Sequence, residues 1–373
     1  MKILLMTGGA GFIGLATIEK VVNDFDQIII LDRMDEQVHQ NVSAVLTKIE
    51  TFPNVDIILD DLNNISNYAK RLENVTHVIH LASQTGTAQS MYELDSYYHS
   101  NCTSTLSLGK WLIESERVTK IVVASSRSVY GEGAYQKSDG KITNKISTRI
   151  SCGTIIEIAE NGDTVHKLPD NFLSPTNPLS VYASTKLWQE NFLSNLADVK
   201  NISITILRYQ NVYGPGQSLV NPYTGIIGIF TRNILESVET TLFENGTSTR
   251  DFVHVEDVAK LNRFAILSAR NQSVDIGSGR KVSVREIFSS IANILGVPET
   301  CVLKPIARKG DIRHALACVK NIEILANGRF DFIEFSDGLK ETVNFNRKVI
   351  ADLKHENAYS RSMRELSDKR LLK

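Results

Sequence analysis

The sequence predicts an α/β protein built on a doubly wound parallel sheet, with a smaller α/β substrate domain interleaved towards its C-terminal end. Three observations carry this. Short runs rich in Ile, Val and Leu recur through the N-terminal half. Segments with helical spacing separate them. A glycine-rich turn joins the first run to the first helix.

The runs Ile3–Met6, Ile28–Leu31, Val55–Leu59, Val78–Leu81, Ile121–Ala124 and Ile202–Leu207 are apolar on both faces, as strands covered by helices on both sides must be. Between them Phe12–Val22, Cys102–Glu114 and Val181–Leu196 carry helical periodicity. Repeated strand–helix alternation implies parallel crossovers. After Tyr213 the rhythm changes: Gly214-Pro215-Gly216 and Asn221-Pro222 punctuate a loop. A helix near Gly225–Glu236, a strand near Phe252–Val255 and helices near Asp257–Leu267 and Val284–Leu295 follow. The expected division is a dinucleotide-binding domain over 1–211, with a return near 251–275, then a substrate domain over 212–345. The segment 132–176 has no clean period and reads as an insertion or lid. Residues 346–373 carry eight Lys/Arg against four Asp/Glu and read as a solvated, basic tail helix or a disordered end.

The 373 residues carry a formal net charge of −1, which offers no global field for nucleic acid or an anionic membrane. No apolar run approaches the roughly 18–20 residues of a membrane span, and Thr7-Gly8-Gly9 interrupts the N-terminal apolar run too early for a signal peptide. Cys102, Cys152, Cys301 and Cys318 form no Cys-x-x-Cys pair. Reduced thiols in a cytoplasmic protein are the expectation.

The turn is Thr7-Gly8-Gly9-Ala10-Gly11-Phe12-Ile13-Gly14. Glycines permit a sharp turn and close approach to a pyrophosphate; the helix that follows offers free N–H groups and its positive dipole end. Strand before and helix after make this a Rossmann dinucleotide loop rather than a bare Gly-rich turn. Asp32 ends the second strand, placed to accept hydrogen bonds from the adenosine ribose. That favours NAD over NADP, although Arg33 beside it could accommodate a 2′-phosphate. Asp61-Leu62 follows the third strand, to contact adenine or to cap a loop.

Tyr182 and Lys186 stand four residues apart on one helix face. A nearby ammonium stabilises a phenolate and lowers the tyrosine pKa from about 10, which makes Tyr182 a general acid/base. Ser126, or its neighbour Ser125, ends the fifth strand where the carboxyl edge of such a sheet lines the ligand crevice. Asn101 is either an ordinary helix N-cap or a positioning residue for Lys186.

Together these motifs resemble extended short-chain dehydrogenases, the NAD-dependent epimerase/dehydratase family of nucleotide sugars, over roughly residues 2–345. The segments are TGGAGFIG (7–14), HLAS (80–83), ASSRSVYGEG (124–133), YASTK (182–186), LRYQNVYGPGQS (207–218), RDFVHVEDVA (250–259) and GDIRH (310–314). QTGTAQSMYE (84–93), SSRSVYGEGAY (125–135) and QNVYGPGQSLVNPYTG (210–225) resemble the 4-epimerase subgroup that acts on dTDP-6-deoxyhexoses such as dTDP-L-rhamnose. The resemblance implies a catalytic set of Tyr182, Lys186 and Ser126. It implies NAD contacts at Gly8, Gly11, Phe12, Ile13, Gly14, Asp32, Arg33, Asp61, Leu62, Leu81, Ala82, Ser83, Asn101, Ser125, Tyr182, Lys186 and Tyr209.

For the substrate it implies Asn211, Arg250 and Arg308 on the diphosphate, with Gln84, Ser90 and Ser126 near the sugar. A guanidinium suits phosphate bidentately; the competing reading of Arg250 is a salt bridge to Asp251 or Asp257. It also implies a homodimer packed through Cys102–Glu114 and Val181–Leu196. Members with cysteine pairs in the insertion resemble zinc ribbons, but here only Cys152 stands there, and one thiolate makes no four-ligand site, so no metal is expected. Family dehydratases carry an Asp-Glu pair after the catalytic hydroxyl; Arg127 and Ser128 stand there instead, against dehydration. Ala317-Cys318 replaces the usual Ala-Asp. The expected chemistry is C4 epimerisation. The alternatives are a net NAD(P)-dependent 4-dehydrogenase or 4-ketoreductase, and a non-catalytic dinucleotide-binding regulator, which would have no need of the Tyr–Lys pair.

Overall fold

The computed structural model describes every residue except 40, 145, 152–153, 160–161, 224, 309, 354–356, 358 and 373, and for 147–151 and 154–156 the backbone alone. Seven strands form one sheet, in the spatial order Gln272–Ile276, Ser203–Tyr209, Lys120–Ser126, His77–His80, Ile3–Thr7, Gln27–Asp32, Val55–Leu59. Every neighbouring pair is parallel. The alternation of side chains along a strand explains why the runs are apolar throughout. Leu4 and Met6, Ile28 and Ile30, and Val122 and Ala124 point to one face, against Phe12–Val21 and Val255–Leu267. Ile3 and Leu5, Ile29 and Leu31, and Ile121 and Val123 point to the other, against Ser104–Glu114 and Val181–Lys200. Helices cover both faces, so a strict apolar/polar alternation gives way to runs that are largely apolar on both sides.

The six expected strands are all present, most of them one or two residues longer at an end; His77–His80 starts and ends one residue before the expected 78–81. The seventh, Gln272–Ile276, was absent from the expectation because Gln272, Ser273 and Asp275 break its apolar run. Asp275 is buried with purpose: its Oδ1 accepts from Tyr130 at 2.6 Å. Helix Val284–Leu295 has the expected bounds, and a full capping box between Ser283 and Glu286 sets its start. It packs with Ile226–Leu235 and Phe335–Ala351 around a third apolar cluster that includes Phe230, Phe288 and Leu339.

The segment 132–176 has strands of its own. Tyr135–Lys137, Ile142–Thr143 and Val165–Lys167 make a three-stranded sheet, and Ile146–Ser151 pairs antiparallel with Thr154–Ala159. Glu157 ties this hairpin to His314 Nε2 at 2.8 Å. Cys152, on which the no-metal expectation rests, lies outside the described residues.

The C-terminal stretch is not a solvated tail. Helix Tyr359–Asp368 buries Ser362 and Leu366. Tyr359 Oη accepts from the Thr241 amide at 3.2 Å, and Glu365 accepts from Tyr223 and Tyr92. The helix itself carries two Arg against one Glu and one Asp, so the basic excess of the stretch lies outside it, and composition alone does not distinguish such an amphipathic helix from a free end. Among the described residues no helix is long and apolar enough to cross a membrane.

Candidate active site

The carboxyl ends of the strands open into one continuous cavity of about 1090 Å³. It runs from the glycine loop and Asp32, past Ser126, Tyr182 and Lys186, to Asn211, Arg250 and Arg308. A crevice at this edge is where a doubly wound sheet gathers its ligands.

The glycine loop is shaped by contacts that a side chain would destroy. Gly8 has φ +68°, and a Cβ there would lie 2.6 Å from the Ala82 amide nitrogen. A Cβ on Gly14 would lie 2.3 Å from the Gly9 carbonyl oxygen, so the helix can begin hard against the loop only with glycine. Gly11 caps helix Phe12–Val21 with no side-chain bond, and no acidic residue stands in its first turn. Its amides and dipole end therefore face the cavity uncompensated, the arrangement a pyrophosphate fits. Asp32 accepts from the Ala10 amide at 3.1 Å and the Met34 amide at 2.9 Å. Arg33 is held by Asp35, Ser100 and Asp61, at 2.6, 3.1 and 3.5 Å. Leu62, Leu81, Ala82, Ser83, Ser125 and Tyr209 line the same half, and Tyr209 donates to Asn262 at 2.7 Å. Asp61 both lines the cavity and caps the turn Leu62–Tyr68, accepting from the Asn63 amide at 2.9 Å. These residues fit a dinucleotide with unmodified ribose better than one with a 2′-phosphate, because the Arg33 guanidinium is already engaged by two carboxylates.

Two expected residues do not line the cavity. Ser90 is fully buried; it accepts from the Tyr182 amide at 3.0 Å and donates to the Thr87 carbonyl at 2.7 Å, so it locks the catalytic helix in place. Asn101 is not a helix N-cap. It sits inside the π-helical stretch Tyr98–Thr103, which precedes Ser104–Glu114. Its Oδ1 accepts from the Gln84 amide at 2.7 Å and from Ser83 at 3.0 Å, and its Nδ2 donates to Thr185 at 2.9 Å. Asn101 thus joins the loop after the fourth strand to the residue beside Lys186. The π-turn, often found at functional sites, re-aims this side chain inward.

The geometry separates the two serines. Ser125 donates to Glu190 and is spent in the core. Ser126 caps the turn Arg127–Tyr130 and is hydrogen-bonded to Tyr182. Burial pushes the Tyr182 phenol up, while Ser126 and the charge of Arg127 pull it down. Lys186, expected from the spacing to act on this phenol, is held by other partners. Lys186 Nζ donates to the Ala124 carbonyl at 2.9 Å, and burial pulls its ammonium down to about 7 against the opposing Glu190 charge. Burial in a dry pocket penalises the charged form, so at neutrality Lys186 is a partial cation, and Arg127 supplies the charge felt by the phenol.

Glu190 is the residue sequence reasoning missed. It stands one turn beyond Lys186 and makes a buried fork with Arg208, at 2.9 and 2.6 Å. Arg208 in turn donates to Tyr130 at 2.8 Å. The i+4 spacing after Lys186 was a visible signal. Glu190→Gln leaves Arg208 without its counter-ion, and a loss of about 3–5 kcal/mol is expected. Urea unfolding of native and variant protein measures it, and an unchanged midpoint would refute the network's structural weight.

At the far end Arg250 pairs with Asp311 at 3.0 Å, not with Asp251 or Asp257. Asp251 instead accepts from Ser278, Gly279 and Ala317 amides, and Asp257 from Lys260 and Ile333. Arg308 also reaches Asp311, at 2.8 Å. Burial opposes ionisation of Asp311, but Arg308, Arg250 and Arg127 outweigh it and hold the carboxyl well below the usual range. Asn211 Oδ1 is buried with no partner. Gln84 is buried with its side chain on the cavity wall. The altered Ala317-Cys318 pair joins the core by backbone bonds, to Asp251 and to the Asp170 carbonyl.

The chain is similar to several known proteins. A dTDP-L-rhamnose 4-epimerase of Burkholderia thailandensis is 36% identical over 332 residues, 87% of this chain and 89% of that one. A putative UDP-glucose 4-epimerase of Methanocaldococcus jannaschii is 31% identical, over 92% of this chain and 97% of the other. The solved UDP-glucose 4-epimerase of Thermotoga maritima with UDP-glucose is 26% identical, with a TM-score of 0.75 over 93% of this chain and 99% of that one. The model of the NAD dependent epimerase/dehydratase family matches residues 4–277, and with these relatives it shows that the chain belongs to that family.

Proposed function

We propose that the protein is a nucleotide-sugar 4-epimerase, with dTDP-6-deoxyhexoses of the dTDP-L-rhamnose type as its substrates. The observation that carries this is one cavity joining the glycine loop, the Ser126–Tyr182 pair and the Arg250–Arg308 cluster, with no carboxylate beside Ser126 to drive elimination. The dTDP assignment rests on the relative from Burkholderia thailandensis. NAD, when bound along the glycine loop, supplies a reversible acceptor for the hydrogen at C4. Asp32 would hold its ribose, and Lys186, which lines the cavity, would order the nicotinamide end.

Tyr182 takes the proton from the C4 hydroxyl and gives it back after the hexose has turned over. Ser126 donates to the C4 oxygen as it becomes a carbonyl, a fixed dipole where charge develops. Arg250, Arg308 and Asn211 keep the diphosphate in place while the 4-keto sugar presents its opposite face. A homodimer packed through Ser104–Glu114 and Val181–Lys200 is part of the proposal; Ile113 and Trp188 stand exposed on these helices.

The test is a substrate deuterated at C4, incubated with enzyme in ordinary water. Product retaining the label at C4 in the inverted configuration is the expected result. Label lost to solvent would refute internal hydride return.

A further inference from the structure

The cavity contains one guanidinium with nothing to hold it. Arg127 follows Ser126 directly and lines the cavity between the Ser126–Tyr182 pair and the Arg250–Asp311 pair. Its Nη1 is buried without a partner, and among the described residues it makes no hydrogen bond and no ion pair. Its neighbours do not serve it. Asp311 is shared between Arg250 and Arg308. Asp170 is taken by Lys167. Glu132 accepts from the Arg313 amide at 3.3 Å. Carboxylates nearby offset its charge, but none accepts its hydrogen bonds, and a buried donor left unmade is costly; such a group persists where a ligand completes it.

We propose that Arg127 is a third substrate-binding guanidinium, donating through Nη1 to an anionic oxygen of the nucleotide sugar between Tyr182 and Arg250. This deepens the reading given above and rests on it. The chemistry favours an anionic oxygen, because a guanidinium bonds a charged acceptor more strongly than a neutral hydroxyl. Two groups supply such an oxygen: the sugar-side phosphate of the diphosphate, or a carboxylate on the hexose ring. A 6-deoxyhexose has no carboxylate, so for the proposed substrates the phosphate is the partner.

Arg127 has a second consequence. Burial and the charge of Arg250 bring it down to about 10, so it stays cationic at neutrality and continues to favour the Tyr182 phenolate. The other charged groups that face it, Asp311, Asp170 and Glu132, oppose that descent.

The experiment is calorimetric binding of dTDP-L-rhamnose, UDP-glucose and UDP-glucuronate to NAD-loaded native protein, Arg127→Lys and Arg127→Gln, beside the melting temperature of each without nucleotide sugar. Arg127→Gln is expected to weaken binding roughly 10- to 100-fold, the range for a hydrogen bond to a charged group. Its melting temperature should stay level or rise, because a buried guanidinium with no hydrogen-bond partner is removed. Arg127→Lys should fall between, keeping the charge but losing the fork. Equal weakening for all three ligands supports the phosphate; weakening confined to UDP-glucuronate supports the carboxylate. Unchanged affinities in Arg127→Gln overturn the proposal. A fall in melting temperature that accompanies the lost affinity also overturns it, since Arg127 would then be structural. Native protein that binds the ligands and loses them with Arg127, yet turns none over, leaves Arg127 standing and removes the epimerase reading. Native protein that binds none overturns both.

Discussion

Replacing Tyr182 with phenylalanine is expected to lower turnover by roughly 10²- to 10⁴-fold, the usual contribution of a positioned acid/base. The substitution removes one hydroxyl and no packing volume. Tyr182 lies at the start of a helix fixed by Ser90 on its amide and by Ser180, whose Oγ accepts from the Ala183 amide at 3.2 Å. The variant should therefore fold, bind NAD and bind nucleotide sugar with nearly native affinity. KM should change little while kcat falls, the signature of an interaction made in the transition state. Steady-state kinetics and nucleotide-sugar binding on the same preparation check both parts. A variant keeping native kcat would remove the tyrosine from the chemistry.

Gly14→Ala carries the second large effect, on cofactor binding. Its Cβ would meet the Gly9 carbonyl oxygen at 2.3 Å, its carbon at 2.6 Å and its Cα at 2.7 Å. All three atoms are backbone, so the clash cannot be relieved by a rotamer. Either the helix start or the loop must shift, and that junction is the surface meant for the pyrophosphate. Forcing one methyl into such a contact costs about 1–3 kcal/mol, hence roughly 10- to 100-fold in NAD affinity. Gly11→Ala is the internal comparison: its Cβ would lie 3.3 Å from the Gly8 carbonyl, which a small adjustment relieves. Titration with NAD should rank native, Gly11→Ala and Gly14→Ala in that order. Equal affinity for native and Gly14→Ala would contradict a phosphate site at this helix start.

Much of the sheet was legible because each strand is covered on both sides and its residues are apolar throughout. The strand that escaped, Gln272–Ile276, carries Asp275 into a buried polar network, and polarity is what hid it. The docking of the tail helix escaped because charge dominates the composition of the stretch while Leu366 and Ser362 do the packing. In the site, motif spacing named Tyr182, Lys186 and Ser126, and all three line one cavity. Spacing could not show what each side chain touches. Lys186 turned to the Ala124 carbonyl, Ser90 went to the Tyr182 amide, and Asn101 went into a π-turn. Arg127 was read only as the absence of a carboxylate. Its unsatisfied guanidinium is a fact of three-dimensional crowding that no linear pattern records.

The most direct test of the account is the fate of the cofactor. Purified protein is denatured, the released nucleotide is identified by mass and absorbance, and intact protein is incubated with dTDP-L-rhamnose without added cofactor. The account predicts stoichiometric NAD(H) in the released fraction and a new nucleotide sugar of unchanged mass, inverted at C4. An empty site, with turnover only when NAD(P)(H) is added and a product two hydrogens lighter or heavier, would contradict it and make the protein a net oxidoreductase.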